Sequence, residues 1–198
     1  MSKKNAILLA ATRLFSQKGY DGAVMTELSK MTGAAGGTIF HHFKNKEDLF
    51  LNILRDIQEI IITEFEEHIK IEKYNSGLEM VEGAVTFYLQ LAGSMEDQFL
   101  LLHRHFPYKL AETNPVCRQY LESIYACLLD IFERGIRIGQ QDGSIAKIPP
   151  RNMAMILFSM VDGIVRLNTY NLYDAGALYT TLMDSCRKLL NDRSVMQP

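Results

Sequence analysis

The sequence has only three cysteines and no long apolar run, and each scarcity excludes a class of protein. Cys117, Cys127 and Cys186 are odd in number and lack C-x-x-C spacing, so no disulfide framework is expected. This pattern favours the cytoplasm, with the cysteines as small buried apolar residues. No stretch approaches the ~18 apolar residues needed to span a bilayer. The N-terminal lysines precede an amphipathic segment and not the apolar core of a signal peptide.

The alternation of apolar and polar residues that marks a half-buried strand is also missing. Helical spacing prevails instead, so the chain is predicted to be all-α with about nine helices. Three helices at about 4–18, 24–31 and 35–42 form a head, and a long helix begins after Asn45. The other five are expected at about 76–91, 94–107, 115–138, 150–168 and 174–190.

Local signals set several of these boundaries. Gly19 suits the position just past the first helix, and Gly33 separates the next two. Asn45, with Asp48 three residues later in place of the usual Glu, is expected to form a capping box. Ser94 is predicted to cap the helix that stops near Pro107.

Formal charge is unevenly distributed along the chain. Residues 1–48 carry a net charge of +3, whereas the remaining 150 residues carry −5. A basic head on an acidic body predicts a polyanionic partner for the head alone.

The head has the outline of a helix-turn-helix, because two short helices joined at a glycine follow a packing helix. Its residues stand at fixed spacing: Ile7, Ala10, Ala11, Leu14, Phe15, Gly19, Tyr20, Leu28, Gly33, Gly37, Thr38, Ile39, Phe40, His42, Phe43, Lys46, Glu47, Asp48 and Leu49. In order and spacing they resemble the N-terminal signature of the TetR family of transcriptional regulators. The resemblance implies DNA binding by residues 1–48, and effector binding and dimerisation by residues 49–198.

The resemblance also implies that the third helix enters the major groove of double-stranded operator DNA as a recognition helix. It assigns DNA contacts to the following residues: Thr26, Ala35, Gly36, Gly37, Thr38, Phe40, His41, His42 and Lys46. Thr38 and His41 would reach base edges or phosphates, and Thr26 and Lys46 would contact the DNA backbone. The two glycines would allow the protein backbone to approach a phosphate closely.

Four positions depart from the family pattern. The hydroxyl that usually caps the second helix is missing near Ala23, and that of the third is missing at Ala35; each lost cap costs about 1 kcal/mol. Gly36 lacks the family's basic side chain, and Phe40 lacks the hydroxyl of the usual Tyr. Either the DNA affinity is lower than is usual, or other residues carry more of it: Thr26, His41 and Lys46.

The body is predicted to hold a small-molecule site and a dimer interface. The helix at about 150–168 is apolar nearly all round, which indicates a covering partner subunit, and the resemblance implies a homodimer through the last two helices. Candidate effector contacts are Phe87, Leu91, His103, Phe106, Tyr125, Met160 and Arg166. An apolar or amphipathic effector is expected, with Arg104 or Arg166 available for an acidic group. Asp162 and Arg166 are equally placed to pair with each other.

No metal, cofactor or catalytic site is expected. His103 and His105 face different sides of a helix, and no further ligands are suitably spaced. Three functions remain open: a repressor released from a palindromic operator by an effector, a helix-turn-helix regulator without a small-molecule effector, and a helical enzyme. The enzyme is disfavoured because no acid–base or nucleophile constellation is visible.

Overall fold

The computed structural model describes residues 2–191, and within that range the chain forms ten α-helices and no strand. The predicted all-α fold is confirmed. The helices are α1 (Lys3–Gly22), α2 (Met25–Thr32), α3 (Gly36–His42), α4 (Lys46–Ile71), α5 (Gly77–Ser94), α6 (Glu96–Leu102), α7 (His105–Ala111), α8 (Pro115–Asp142), α9 (Pro150–Thr169) and α10 (Ala175–Asn191). None of these described helices is both long enough and apolar enough to cross a membrane.

The helices form two compact units. The first, called the head unit, comprises the chain through Thr63 together with Met95–Ile124. The second, called the body unit, comprises Glu64–Ser94 and the chain from Tyr125 on. Helices α4 and α8 therefore contribute residues to both units. The functional boundary after residue 48 stays a prediction, because these units are defined by packing alone.

The core of the head unit follows from helical periodicity. Large buried side chains come from α1 to α4 and from the residue after α3, and Phe99 of α6 joins them: Ile7, Leu14, Phe15, Leu28, Ile39, Phe43, Leu49 and Phe50. Helix α1 packs against α2, α3 and α6. Burial of an aliphatic or aromatic side chain contributes about 1.5–3 kcal/mol, so this shared core holds the short helices in place.

Glycine produces two sharp changes of direction in the head unit. Gly33 lies in the left-handed region (φ 64°) and ends α2 as predicted. Gly19 also has a positive φ of 72°, with a non-helical ψ of 171°, and it kinks α1. The first regular helical stretch therefore ends before Gly19 as predicted, and a short second stretch continues from there to Gly22.

Helix capping agrees with the sequence at α4 and differs from it at α6. Asn45 Oδ1 accepts a hydrogen bond from Asp48 N at 2.8 Å, and Asp48 Oδ2 accepts one from Lys44 N at 2.8 Å. The predicted Ser94 cap is wrong, because Ser94 ends α5 and donates to Leu91 O at 2.9 Å. Met95 is the residue at the N-cap of α6.

The region predicted as one helix before Pro107 contains two helices, which is why the described chain has ten and not nine. Helix α6 ends at Leu102, and α7 begins at His105. Pro107 lies in the first turn of α7, where a missing backbone N–H removes no helical hydrogen bond. The proline therefore belongs to the start of a helix and does not stop one.

In the body unit, the turn after α8 holds the start of α5. Asp142 Oδ2 accepts a hydrogen bond from Gly77 N at 2.7 Å, and Ser144 Oγ accepts one from Leu78 N at 3.2 Å. Hydrogen bonds from Ser144 and Gly77 hold the pKa of Asp142 below its ordinary value. A side chain at Gly77 would overlap the backbone of Gly139, so glycine permits this close helix contact.

Candidate functional site

Helix α3 presents most of the predicted DNA-contact residues to solvent. Ile39 and Phe43 are buried and anchor the helix to the head core. The outward positions are Ala35, Gly36, Gly37, Phe40, His41 and His42, all exposed, with Thr38 half-buried. Phe40 leaves 50% of its surface exposed, which is unusual for a large aromatic residue in a small head. The structure thus leaves most of the predicted recognition residues accessible around this short helix.

Neither α2 nor α3 has a side chain that caps its N-terminus. Ala35 is the N-cap residue of α3, as predicted, and makes no capping hydrogen bond. For α2 the N-cap residue is Val24 and not Ala23, whose side chain is buried in the core. An ion pair with N–O distance 2.7 Å between Lys18 and Glu27 links α1 to the first turn of α2.

The start of α3 is sterically open. A Cβ atom added at Gly36 or Gly37 would meet no atom within 4 Å. The protein therefore leaves room for a phosphate or a base to approach the backbone at this end of the helix. Thr26, on α2, is exposed as well.

Lys46 lies over an aromatic ring at the start of α4. Its Nζ is 4.6 Å from the ring centroid of Tyr20 and 6.0 Å from that of Phe15. Partial burial lowers the pKa of Lys46, and the charge of Asp21 opposes that shift. The ammonium group is held in a defined position and is less hydrated than a free lysine.

The two predicted effector residues in the head unit lie in packed surroundings. His103 is buried, with its ring 6.2 Å from that of Phe99. Phe106 stacks on Tyr20 with ring centroids 3.6 Å apart and contacts Phe50 edge-on at 5.0 Å. Their role as effector contacts stays a prediction.

Arg104 donates hydrogen bonds to two backbone carbonyl oxygens of α1 in the head unit. Its Nε and Nη2 donate to the carbonyl oxygen of Ser16 at 3.0 and 2.6 Å, and Nη2 also donates to that of Gln17 at 3.0 Å. The guanidinium group therefore holds the end of α1 that precedes the Gly19 kink. The sequence predicts Arg104 as a possible anchor for an acidic effector. In the structure its hydrogen bonds join it to α1, and no residue pattern near Arg104 indicates that contact.

The other five predicted effector residues belong to the body unit and differ in burial. Leu91 is buried, Phe87, Tyr125 and Met160 are half-buried, and Arg166 is exposed. The rings of Phe87 and His68 stack with centroids 4.0 Å apart, and Tyr125 meets Phe158 edge-on at 5.7 Å.

A pocket of about 210 Å³ opens in the body unit beside the start of α5. Tyr74, Met80 and Arg134 are among the residues that line it, and none of the five predicted body residues does. The pocket is smaller than the ~300–1,000 Å³ typical of ligand sites. An effector of larger size would have to separate helices of this unit to enter it.

One polar contact inside the body unit was missed by the sequence analysis. Tyr88 is buried on α5, and its hydroxyl donates to Asp162 Oδ1 at 2.6 Å on α9. The sequence placed Asp162 with Arg166, which is four residues away on the same helix. The observed contact joins residues 74 positions apart, so helical spacing contained no signal for it.

Within residues 2–191, no three histidine, cysteine or acidic side chains are grouped closely enough to hold a metal ion. Burial raises the pKa of all three cysteine thiols to about 11, which keeps them protonated and poorly nucleophilic.

The outer surface of α9 and the start of α10 are apolar. Met153, Ala154 and Leu157 are buried inside the body unit. On the opposite side, Met155 and Ile156 leave 52% and 48% of their surfaces exposed, and Ser159 and Gly163 continue the same exposed face. Further large side chains are exposed beyond it: Leu167, Tyr170, Leu172, Tyr173, Leu178 and Tyr179. We call this surface the α9–α10 face.

Comparison with known proteins gives one family and several relatives. The family model described as bacterial regulatory proteins, tetR family, matches residues 7–53. The fatty acid metabolism regulator protein of Bacillus subtilis is 27% identical over 181 residues, which cover 90% of each chain. The HTH-type transcriptional repressor AcnR of Corynebacterium glutamicum is 44% identical over 55 residues, 28% of this chain and 29% of that one.

Among solved structures, the transcriptional regulator FadR from Bacillus subtilis in complex with stearoyl-CoA has a TM-score of 0.72 with 23% identity. The match covers 94% of this chain and 97% of that chain. At this level of identity the likeness concerns the fold.

Proposed function

We propose that this chain, whose residues 7–53 match the model of the tetR family of bacterial regulatory proteins, is a repressor that binds a palindromic operator and leaves it when an amphipathic effector binds. The chain is a DNA-binding transcriptional regulator. The repressor sense, the palindrome, the cytoplasmic location and the effector are the parts that we propose.

The observation that carries the proposal is the exposed face of α3. No atom crowds the backbone at the N-terminus of this helix, and its outward side chains include Thr38 and His41. Lys46 begins the next helix. A helix of this kind supplies base contacts from its exposed face, while flanking cations bind the phosphates. The net charge of +3 on residues 1–48 favours the same partner.

The α9–α10 face supports a homodimer. Large exposed apolar patches on soluble proteins mark interaction sites. A second copy is the proposed occupant, because two recognition helices are needed to bind the two half-sites of a palindrome. Ser159 and Gly163 are small, which permits two copies of α9 to approach closely.

Two observations indicate the class of effector: the ligand bound to a similar protein, and the side chains of the body unit. The transcriptional regulator FadR from Bacillus subtilis was crystallised with stearoyl-CoA, an amphipathic molecule with a long acyl chain. The body unit has half-buried Phe87, Tyr125 and Met160, and flexible methionine and aromatic side chains suit adaptable apolar sites. We propose a long-chain acyl compound as the effector.

A regulator without a small-molecule effector is the second candidate. It is favoured by one observation, the size of the pocket beside the start of α5, which at about 210 Å³ is too small for a long acyl chain. The two candidates differ in whether an amphipathic ligand changes DNA affinity.

Lys46→Ala tests the DNA interface. We expect weaker binding to every duplex and a salt dependence flatter by about one unit of log–log slope, since one phosphate contact is lost. The measurement is fluorescence anisotropy on a labelled operator over a salt series. Substitutions at Thr38 or His41 are expected instead to change which sequences are preferred.

The matched control is Lys147→Ala, which removes an exposed lysine of the body unit. This variant should retain the wild-type slope. An unchanged slope for Lys46→Ala would show that α4 does not contact the DNA backbone through this residue.

A further inference from the structure

We infer that Phe106 of α7 is a positioning residue for DNA binding, which holds Lys46 in place through the ring of Tyr20. This inference rests on the proposed phosphate contact of Lys46. The three residues lie on different helices of the head unit. Lys46 and Phe106 are 60 residues apart in the sequence, and Lys46 and Tyr20 are 26 apart.

The first contact in this series is between Lys46 and Tyr20. The 4.6 Å between Nζ and the ring centroid lies within the ~6 Å range of a cation–π interaction. A free lysine side chain samples many rotamers, and ordering it on binding costs conformational entropy. A lysine already held over a ring loses less of that freedom when it meets a phosphate.

The second contact is between Tyr20 and Phe106. Their rings are nearly parallel, with an interplanar angle of 5° and centroids 3.6 Å apart. Phe50 meets both rings edge-on, at 5.6 Å from Tyr20 and 5.0 Å from Phe106. Tyr20 is only half-buried and follows the Gly19 kink directly, so this aromatic packing restrains its ring.

Arg104 keeps α7 in register with α1. Its hydrogen bonds to the carbonyl oxygens of Ser16 and Gln17 lie on one side of the Gly19 kink, and the Phe106–Tyr20 stack lies on the other. The first turn of α7 thus holds both sides of the kink. A shift of α7 would displace Tyr20 and with it the support under the Lys46 ammonium.

The test is a double-mutant cycle on operator DNA with Phe106→Leu, Lys46→Ala and the double variant. Lys46→Ala is expected to lower the salt slope by about one unit, which near 0.1 M salt corresponds to about tenfold in affinity. We expect Phe106→Leu to lower the slope in the same direction. The double variant should bind no more weakly than Lys46→Ala alone, because both changes remove the same contact.

Two further variants separate positioning from general loss of stability. Phe106→Tyr retains an aromatic ring and should restore the wild-type slope. Phe158→Leu removes a half-buried ring with two aromatic neighbours from the body unit and should leave the slope unchanged. Thermal unfolding of each variant identifies any that is not folded at the assay temperature.

The outcomes are distinguishable. The inference is overturned, while the phosphate contact stands, if Phe106→Leu weakens binding without changing the salt slope. It is also overturned if the fold-losses in affinity of Phe106→Leu and Lys46→Ala multiply in the double variant. If Lys46→Ala itself leaves the slope unchanged, the phosphate contact fails and the inference fails with it.

Discussion

Replacing Ile156 with glutamate is expected to convert the protein to monomers and to lower its affinity for a palindromic operator by at least about 100-fold. Ile156 lies on the exposed apolar side of α9 beside Met155. A charge at the centre of an apolar interface would be buried without a partner, which destabilises the dimer by several kcal/mol. Linked half-site binding raises avidity by about 10²–10⁴, and a monomer loses that gain. Sedimentation at micromolar concentration and anisotropy on the operator measure the two effects.

The matched control for this substitution is Leu9→Glu. Leu9 leaves 59% of its surface exposed on α1, outside the α9–α10 face, so the same change there should leave the dimer intact. A wild-type protein that sediments as a monomer, or an Ile156→Glu variant that stays dimeric, would contradict the proposed interface.

Saturating stearoyl-CoA is expected to lower operator affinity by about 100-fold. Such a shift requires about 2.7 kcal/mol of differential binding between the DNA-competent and DNA-incompetent forms. Tight binding alone is therefore insufficient, since a ligand that binds both forms equally shifts nothing. The pocket of about 210 Å³ beside the start of α5 cannot contain the acyl chain, so a chain that enters there has to separate helices of the body unit. The measurement is operator anisotropy during a ligand titration.

Coenzyme A without an acyl chain is the control ligand, and it should leave the affinity unchanged. Met160→Trp is the corresponding variant, because it places a bulky ring at a half-buried position predicted to line the site. It should retain operator binding and respond less to stearoyl-CoA. If no acyl compound alters DNA affinity, the regulator without an effector becomes the better description.

Most of the head could be predicted because its signals lie within a few residues of one another. The Asn45 cap of α4, the Gly33 break and the exposed side of α3 all depend on local spacing, and the structure has each of them; the Asp48 carboxylate, however, accepts from Lys44 N and not from Asn45 N as in a capping box. The missing cap at Ala35 was equally visible, since capping depends on the type of one side chain.

Contacts between distant segments could not be predicted from periodicity. Arg104 reaches Ser16 across 88 residues, and Tyr88 reaches Asp162 across 74. Helical spacing indicates which side of a helix is buried and not which helix covers it. For the same reason, no pattern in the sequence indicates that Phe106 packs against Tyr20 in the head unit.

Pro107 shows a different limit. A proline is unfavourable inside a helix and tolerated in its first turn, so its position alone is compatible with either the end of one helix or the start of the next. The break between α6 and α7 decides between them, and it falls at His103 and Arg104. Neither residue is a glycine or a proline, the residue types that would have indicated a break in the helix.

Selection of bound sequences from a pool of random DNA duplexes tests the central claim most directly. The enriched sequence is expected to be an inverted repeat, with half-sites about one helical turn or a multiple of it apart, and two protomers are expected to occupy each repeat. Enrichment of no sequence, or of an asymmetric site that one protomer occupies alone, would contradict it.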